Sequence, residues 1–353
     1  MVKLKNSMTA FFLILIFLAA GCSKLTSSTS SKGKTALKDI RTGTDGISLS
    51  FLPNNPPDTV HLEENAAKNE LTVIVQIDNK GSYPQPEQAK APSGKLFLSG
   101  YDKNILNFNN AYSHDLSKFS LYGKSPINLN GGTDLATFKA TINDINVEKY
   151  EPVLLATACY NYVTIAGPSV CIDPDPYSTT NQKKVCSVND ITLTNQGAPI
   201  AVTSIGEEAF AKKTQFKINI KNVGNGEVLR TTTQPLDSEL PSNSVDKCDP
   251  YSTASGEDGK ITKDDIDKVY LKEASIGQLA LTCWPFSGDN IKTEKGFIRL
   301  INGEGSIICE YEKFNDEYGG GKTAYTTPLR IVLTYVYKTT AERHLTVKKE
   351  QTN

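Results

Sequence analysis

Histidine, methionine and tryptophan are scarce in this 353-residue chain, with three, two and one copies. His61, His114 and His344 lie far apart, and neither G-x-S-x-G nor H-E-x-x-H occurs, so no motif supplies an activated serine or a zinc-protease helix. Cysteine spacing argues against zinc as well. The intervals along Cys159, Cys171, Cys186, Cys248, Cys283 and Cys309 are 12, 15, 62, 35 and 26 residues, with no C-x-x-C pair. The formal net charge is −1 with Lys and Arg spread along the chain, which leaves no electrostatic footprint for nucleic acid. Long helical periodicity is missing too. These absences lead to the expectation of a non-enzyme with no cofactor, no metal and no nucleic-acid partner. Distant residues could still assemble a triad, and 39 acidic side chains leave a glycosidase-like carboxylate pair open.

What is present begins at the N-terminus. Ala10–Ala20 is an apolar run of eleven residues, whereas a helix crossing about 30 Å of hydrocarbon needs about 20. Lys3 and Lys5 precede it and the small residues Ala19, Ala20 and Gly21 follow, the three regions of a secretory signal peptide. Leu18-Ala19-Ala20-Gly21-Cys22 resembles the lipobox of prokaryotic lipoproteins, with Leu18 one place early. The resemblance implies that residues 1–21 are removed and that Cys22 becomes a lipidated N-terminus held by the membrane. Residues 22–46, rich in Ser, Thr, Lys and Gly and without an aromatic, then read as a lipid-anchored flexible tether.

Cysteine counting agrees with that assignment. There are seven, and giving Cys22 to lipid leaves an even six in a compartment where disulfides persist. Six cysteines allow 15 pairings. The short Pro-containing loop between Cys171 and Cys186 favours that bond, and the spacing of the runs carrying Cys283 and Cys309 favours a second. Cys159 and Cys248 pair by elimination.

Beyond the tether the chain reads as short β-branched or aromatic runs separated by Gly, Pro and Asn. Gly46–Phe51, Leu71–Ile77, Lys95–Ser99, Ala136–Ile142 and Val153–Val163 form a first series. A second includes Ile200–Ile205, Phe216–Ile220, Val269–Ala274, Ser306–Tyr311 and Leu329–Tyr337. Many short strands without interposed helices predict antiparallel sandwiches. "VQIDNKG" (75–81) and "INIKNVG" (218–224) echo one another, each an alternating strand ending in Asn-x-Gly, where glycine is expected to take positive φ. These strands resemble immunoglobulin-like surface modules of the bacterial and archaeal cell-adhesion-related (CARDB-like) type. "CYNYVT" (159–164), "VCIDPDPYS" (170–178), "NQGAPIAVT" (195–203) and "LTCWPF" (281–286) are similar to segments of archaeal surface proteins without an assigned activity. The resemblance implies an all-β chain of two tandem immunoglobulin-like antiparallel β-sandwich domains. They would span 47–165 and 191–348, on either side of a disulfide-tied connector at 166–190.

Four features could carry chemistry. "DPYST" occurs at 175–179 and again at 249–253, most simply as two cystine-tied turns. Were the turns to meet, Asp173, Asp175, Asp249 and Asp258 would offer oxygen ligands for calcium, a secondary reading. "SGEDGKITKDD" (255–265) resembles half of an EF-hand loop but lacks its first ligands, so Thr262 and Asp265 are expected to cap a turn. "GGGKT" (319–323) lacks the first glycine of a P-loop. Tyr160 with Tyr162, and Tyr335 with Tyr337, each share one strand face. Such stripes are expected in the core; exposed, they would suit a protein or glycan partner.

The expected role is a membrane-anchored extracytoplasmic lipoprotein acting as a non-catalytic interaction or structural module of the cell envelope. It would be attached through lipid on Cys22 and would meet a protein or glycan partner. The alternative is an envelope glycan- or small-ligand-binding lipoprotein, hydrolytic in its strongest form. Cys22→Ser should abolish partitioning of the mature protein into the detergent phase. Unchanged partitioning with residues 1–21 still attached would identify a membrane anchor instead.

Overall fold

The computed structural model describes residues 40–62, 69–178, 184–231, 243–252, 260–288, 291–312 and 323–349. Its strands are β1 (Ile47–Phe51), β2 (Thr59–Leu62), β3 (Glu70–Asn79), β4 (Gly94–Ser99), β5 (Leu106–Asn107), β6 (Ser113–Asp115), β7 (Thr133–Ile142), β8 (Lys149–Tyr150), β9 (Val153–Ala166) and β10 (Ser169–Ile172). They continue with β11 (Ile191–Thr192), β12 (Ile200–Phe210), β13 (Lys213–Asn222), β14 (Glu227–Leu229), β15 (Lys268–Ile276), β16 (Leu279–Ala280), β17 (Thr282–Trp284), β18 (Gly296–Arg299), β19 (Glu304–Tyr311), β20 (Tyr325–His344) and β21 (Thr346–Lys349). The main strands read from sequence are present, several of them longer than expected. The two-residue strands escaped notice because so few residues show no period.

Four sheets result. β1-β3-β7-β5 form one, β11-β12-β13-β19-β17 a second, and β2-β21-β8 a small third. The fourth runs β16-β15-β20-β9-β4-β6, with β10 and β14 paired to β20 and β18 to β15. The pairings are antiparallel except β2 with β21. Side chains of β3 and β7 alternate between buried and more exposed, as in a sheet with one face on the core. β9 differs, because Ala156–Thr164 is buried on both faces.

β9 and β20 pair over their length, from Val153 opposite His344 to Ala166 opposite Ile331. Strands from both series therefore share one sheet. Residues 40–353 form one compact unit. The echo seen in sequence extends well beyond Asn-x-Gly. β1-β3-β7 is matched by β12-β13-β19, with Ile47 opposite Asn79 and Ile200 opposite Asn222. Asn79 N–H donates to Gly132 O and Asn222 N–H to Gly303 O, both at 2.8 Å.

The folded part starts earlier than the expected tether end at residue 46, since Ile40 is buried and Lys124 Nζ donates to Thr42 O at 3.0 Å. Cys22 and residues 1–39 lie outside the described residues. No described helix is long and apolar enough to cross a membrane.

Three disulfides are present: Cys159–Cys248, Cys171–Cys186 and Cys283–Cys309, with Cα separations of 6.4, 5.8 and 4.0 Å. Three such bonds in one chain suggest an oxidising, extracytoplasmic environment. Cys159–Cys248 fastens a helical turn, Asn243–Asp246, onto the central sheet, where Val245 and Cys248 pack with Phe97, Cys159, Leu229 and Val336. This cap covers β9 at Cys159. The bond closes a separation of 89 residues, so the double variant Cys159→Ala/Cys248→Ala should lose about 3–5 kcal/mol of stability in guanidinium titrations. An unchanged midpoint would show that packing alone seats the cap.

Candidate functional site

The four strand tyrosines form no exposed face. Tyr162 and Tyr335 lie opposite each other across the β9–β20 pair, as do Tyr160 and Tyr337, and all four are at most 3 % exposed. Their rings meet in edge and tilted contacts at 5.6 to 6.4 Å. Burial raises all four hydroxyls above the ordinary tyrosine range, so they stay protonated. All four are hydrogen-bonded, Tyr335 also to the Thr164 hydroxyl at 2.9 Å. Tyr160 Oη accepts from Ile47 N–H at 2.9 Å, and Tyr335 Oη accepts from Ile200 N–H at 3.3 Å. Tyr162 donates to Asn79 Oδ1 at 3.3 Å, and Tyr337 to Asn222 Oδ1 at 3.1 Å.

This arrangement corrects the reading of Asn-x-Gly. Neither Gly81 nor Gly224 has positive φ. Instead, a Cβ on Gly81 would overlap the Tyr162 hydroxyl, and one on Gly224 would crowd that of Tyr337. Glycine is needed there for close approach, not for turn handedness.

The aromatic cluster that does reach the surface lies at the second Asp-Pro-Tyr. Tyr101, Tyr112 and Tyr251 are half-buried, with Tyr251 at 5.0 Å from Tyr112 and 5.8 Å from Tyr101. Tyr112 donates to Asp249 Oδ2 at 3.1 Å, while Tyr251 N–H donates to Asp249 Oδ1 at 2.9 Å and closes the turn. Lys103 Nζ sits 3.6 Å from the Tyr251 ring centre, a cation–π contact. Three elements position the group. Tyr112 O accepts from Leu98 N–H on β4, Cys248 is bonded to β9, and Lys95 holds Asp246 at 2.6 Å. Desolvation raises all three phenols, and the Asp249 carboxylate adds to the shift of Tyr112. Ring faces beside one carboxylate can stack on sugar carbons, accept a cation, or meet a protein surface. Tyr101, Lys103 and Tyr112 were missed in the sequence because they lie far along the chain from Asp249. The only available signal was the Asp-Pro-Tyr next to Cys248.

The remaining candidates stand apart. Asp173 Oδ2 holds Lys184 at 2.5 Å, and Lys184 also donates to Asp175 O at 2.7 Å, so this turn is closed by an internal cation. Asp258 lies outside the described residues, as do 255–259 of the EF-hand-like stretch and 319–322 of "GGGKT". Asp265 accepts from Thr262 N–H and Oγ1–H at 2.9 and 2.8 Å and from Lys247 at 3.1 Å. Among the described residues no group of three or more His, Cys, Asp or Glu could hold a metal ion. The histidines sit on β2, β6 and the end of β20. No protein-family model and no curated protein sequence matches the chain.

Two buried carboxylates have opposite fates. Desolvation opposes ionisation of Glu310, yet hydrogen bonds from Lys213, Lys292 and Gln215 outweigh it and hold this group at about 2. Among the described residues Glu207 accepts only from the Cys171 N–H, at 3.0 Å, and burial pushes it up to about 7. With its folded value raised above the ordinary 4.5, Glu207 contributes stability that is complete below about 4.5 and lost as pH rises through about 7. The melting temperature of Glu207→Gln relative to the parent should therefore rise across that window. A difference independent of pH would show that folding leaves the Glu207 carboxyl unshifted.

Proposed function

We propose that this protein is a lipid-anchored extracytoplasmic module of the cell envelope that binds a partner without catalysing a reaction. In this reading the two outer sheets and the shared central sheet make two immunoglobulin-like sandwiches of the cell-adhesion-related type. The β1-β3-β7 and β12-β13-β19 repeat supports it. Lipid on Cys22 supplies attachment to the membrane, as the lipobox resemblance implies.

The observation that carries the binding role is the cluster of Tyr101, Tyr112 and Tyr251 around Asp249. Half-buried tyrosine rings beside a hydrogen-bonding carboxylate are a recognition chemistry, and aromatic residues dominate the energetics of such contacts. The cap that carries Tyr251 is fixed by a disulfide and an ion pair, so little order remains to be gained on binding. The same cluster also favours a second reading, in which the partner is an envelope glycan: tyrosine faces stack on sugar rings and Asp249 accepts a hydroxyl.

Co-sedimentation with isolated envelope glycan and with delipidated envelope protein distinguishes the two. Tyr251→Ala should reduce the bound fraction at least about tenfold for whichever material is the partner, as expected for an aromatic anchor. Equal binding by parent and variant would remove the cluster from the function. Release of reducing sugar from the glycan would convert the reading to a hydrolase.

A further inference from the structure

The three most exposed aliphatic side chains that flank the beginning of the fold are Ile127, Leu129 and Ile301, at 99, 53 and 72 % exposure. They do not lie on loose tails. Ser125 N–H donates to Asn128 O at 2.8 Å and Asn128 N–H returns to Ser125 O at 3.1 Å, a closed turn with Pro126 and Ile127 at its tip. Asn128 Nδ2 donates to Gly131 O at 2.7 Å, which fixes the Leu129 side of the loop. Ile301 and Glu304 exchange backbone bonds at 2.7 and 3.1 Å around Asn302-Gly303, both at positive φ, a two-residue hairpin turn. These two turns occupy matching places in the repeat, since each leads into the strand beside Asn79 or Asn222 through the Gly132 and Gly303 carbonyls.

Between those places runs the start of the described chain. Lys124, next to the first turn, donates to Thr42 O. Gly46 O accepts from Lys80 N–H at 2.8 Å, and Thr44 O lies close beside Gly224. Lys124 and Lys80 thus flank the stretch that carries Arg41, which lies beside Arg330, with Asp45 the acid on the same stretch. Beside Ile301, Lys221 and Glu304 neutralise each other at 2.6 Å. Only residues 23–39 separate this point from Cys22. A surface joined to a lipidated cysteine by so short a stretch would meet the bilayer at high effective concentration.

We propose that Ile127, Leu129 and Ile301 insert into the interface of an anionic bilayer while Arg41, Lys80 and Lys124 face its headgroups. The chain's first folded residues are then turned towards the membrane that holds it. The inference rests on the lipid-anchor reading for its geometry, but its test does not use the lipid. Three aliphatic side chains that leave water only in part, together with basic residues, give a weak, reversible association.

The probe is vesicles of phosphatidylcholine and phosphatidylglycerol in equal parts. The protein is the chain with residues 1–21 removed and Cys22→Ser, so that no acyl chain contributes. Ile127→Asp/Leu129→Asp/Ile301→Asp should bind at least about tenfold more weakly than this parent in sedimentation. Its melting temperature should match the parent's, because the replaced side chains are exposed. Brominated lipid should quench an Ile127→Trp reporter above the baseline of Trp284, the parent's single tryptophan. Equal binding by parent and triple variant, absence of binding by the parent, or no added quenching would overturn the proposal. So would concentration-dependent dimerisation of the parent that the triple variant abolishes, which would assign the face to a second copy. Failure of lipidation itself is read separately, from detergent partitioning of the Cys22 protein.

Discussion

Four tyrosine hydroxyls in the middle of the β9–β20 pair hold the outer sheets to the central one. A buried phenol without a partner costs about 1–3 kcal/mol, so each must find a donor or acceptor where its ring places it. The partners are backbone and amide groups at the ends of the outer strands: Ile47 and Asn79 in one half, Ile200 and Asn222 in the other. Phenylalanine would fill the same volume but would not select the register of strands lying above it. Hydrogen bonds do select, because a one-residue slip would move Ile47 or Ile200 N–H out of reach and turn every side chain of the strand over. The glycines two residues beyond each asparagine follow from the same constraint, since only a missing Cβ lets a phenol approach that closely.

Both halves of the pattern were legible separately. The Asn-x-Gly echo and the paired tyrosines each stand out in the sequence, and alternation already put the tyrosines on one face. That Tyr162 belongs with Gly81, and Tyr337 with Gly224, was not legible. The partners lie 81 and 113 positions apart, and nothing local distinguishes a glycine needed for φ from one needed for room. The disulfides were more tractable. Cys171 and Cys186 close a short loop, Cys283 and Cys309 sit directly opposite on neighbouring strands, and the third pair is what remains.

The surface cluster shows where sequence reading runs out. Asp249 and Tyr251 stand out because Asp-Pro-Tyr is repeated, most simply as two separate turns and only secondarily as one shared calcium site. Among the described residues the two copies share no partner. The first copy is closed by Lys184, whereas the second receives Tyr112 from another part of the chain. Similar local sequences form similar turns, but what a turn meets depends on the element beneath it. For Asp249 that element is β4 with its neighbour β6; for Asp175 it is the disulfide loop itself.

Alternation along β9 connects these regions. Tyr160 and Tyr162 point to the outer sheets, where residues 40–46 run past Gly46, Gly81 and Gly224. Cys159 points the other way and fastens the cap that carries Tyr251. Two neighbouring residues of one strand therefore send their side chains to opposite faces of the sheet. One face receives residues 40–46, and the other presents the aromatic cluster. If membrane attachment occupies the first face, the cluster on the second remains open to a partner. That division would be lost if the cap were fastened from an even-numbered position of β9, because its disulfide would then compete with the tyrosines for the core.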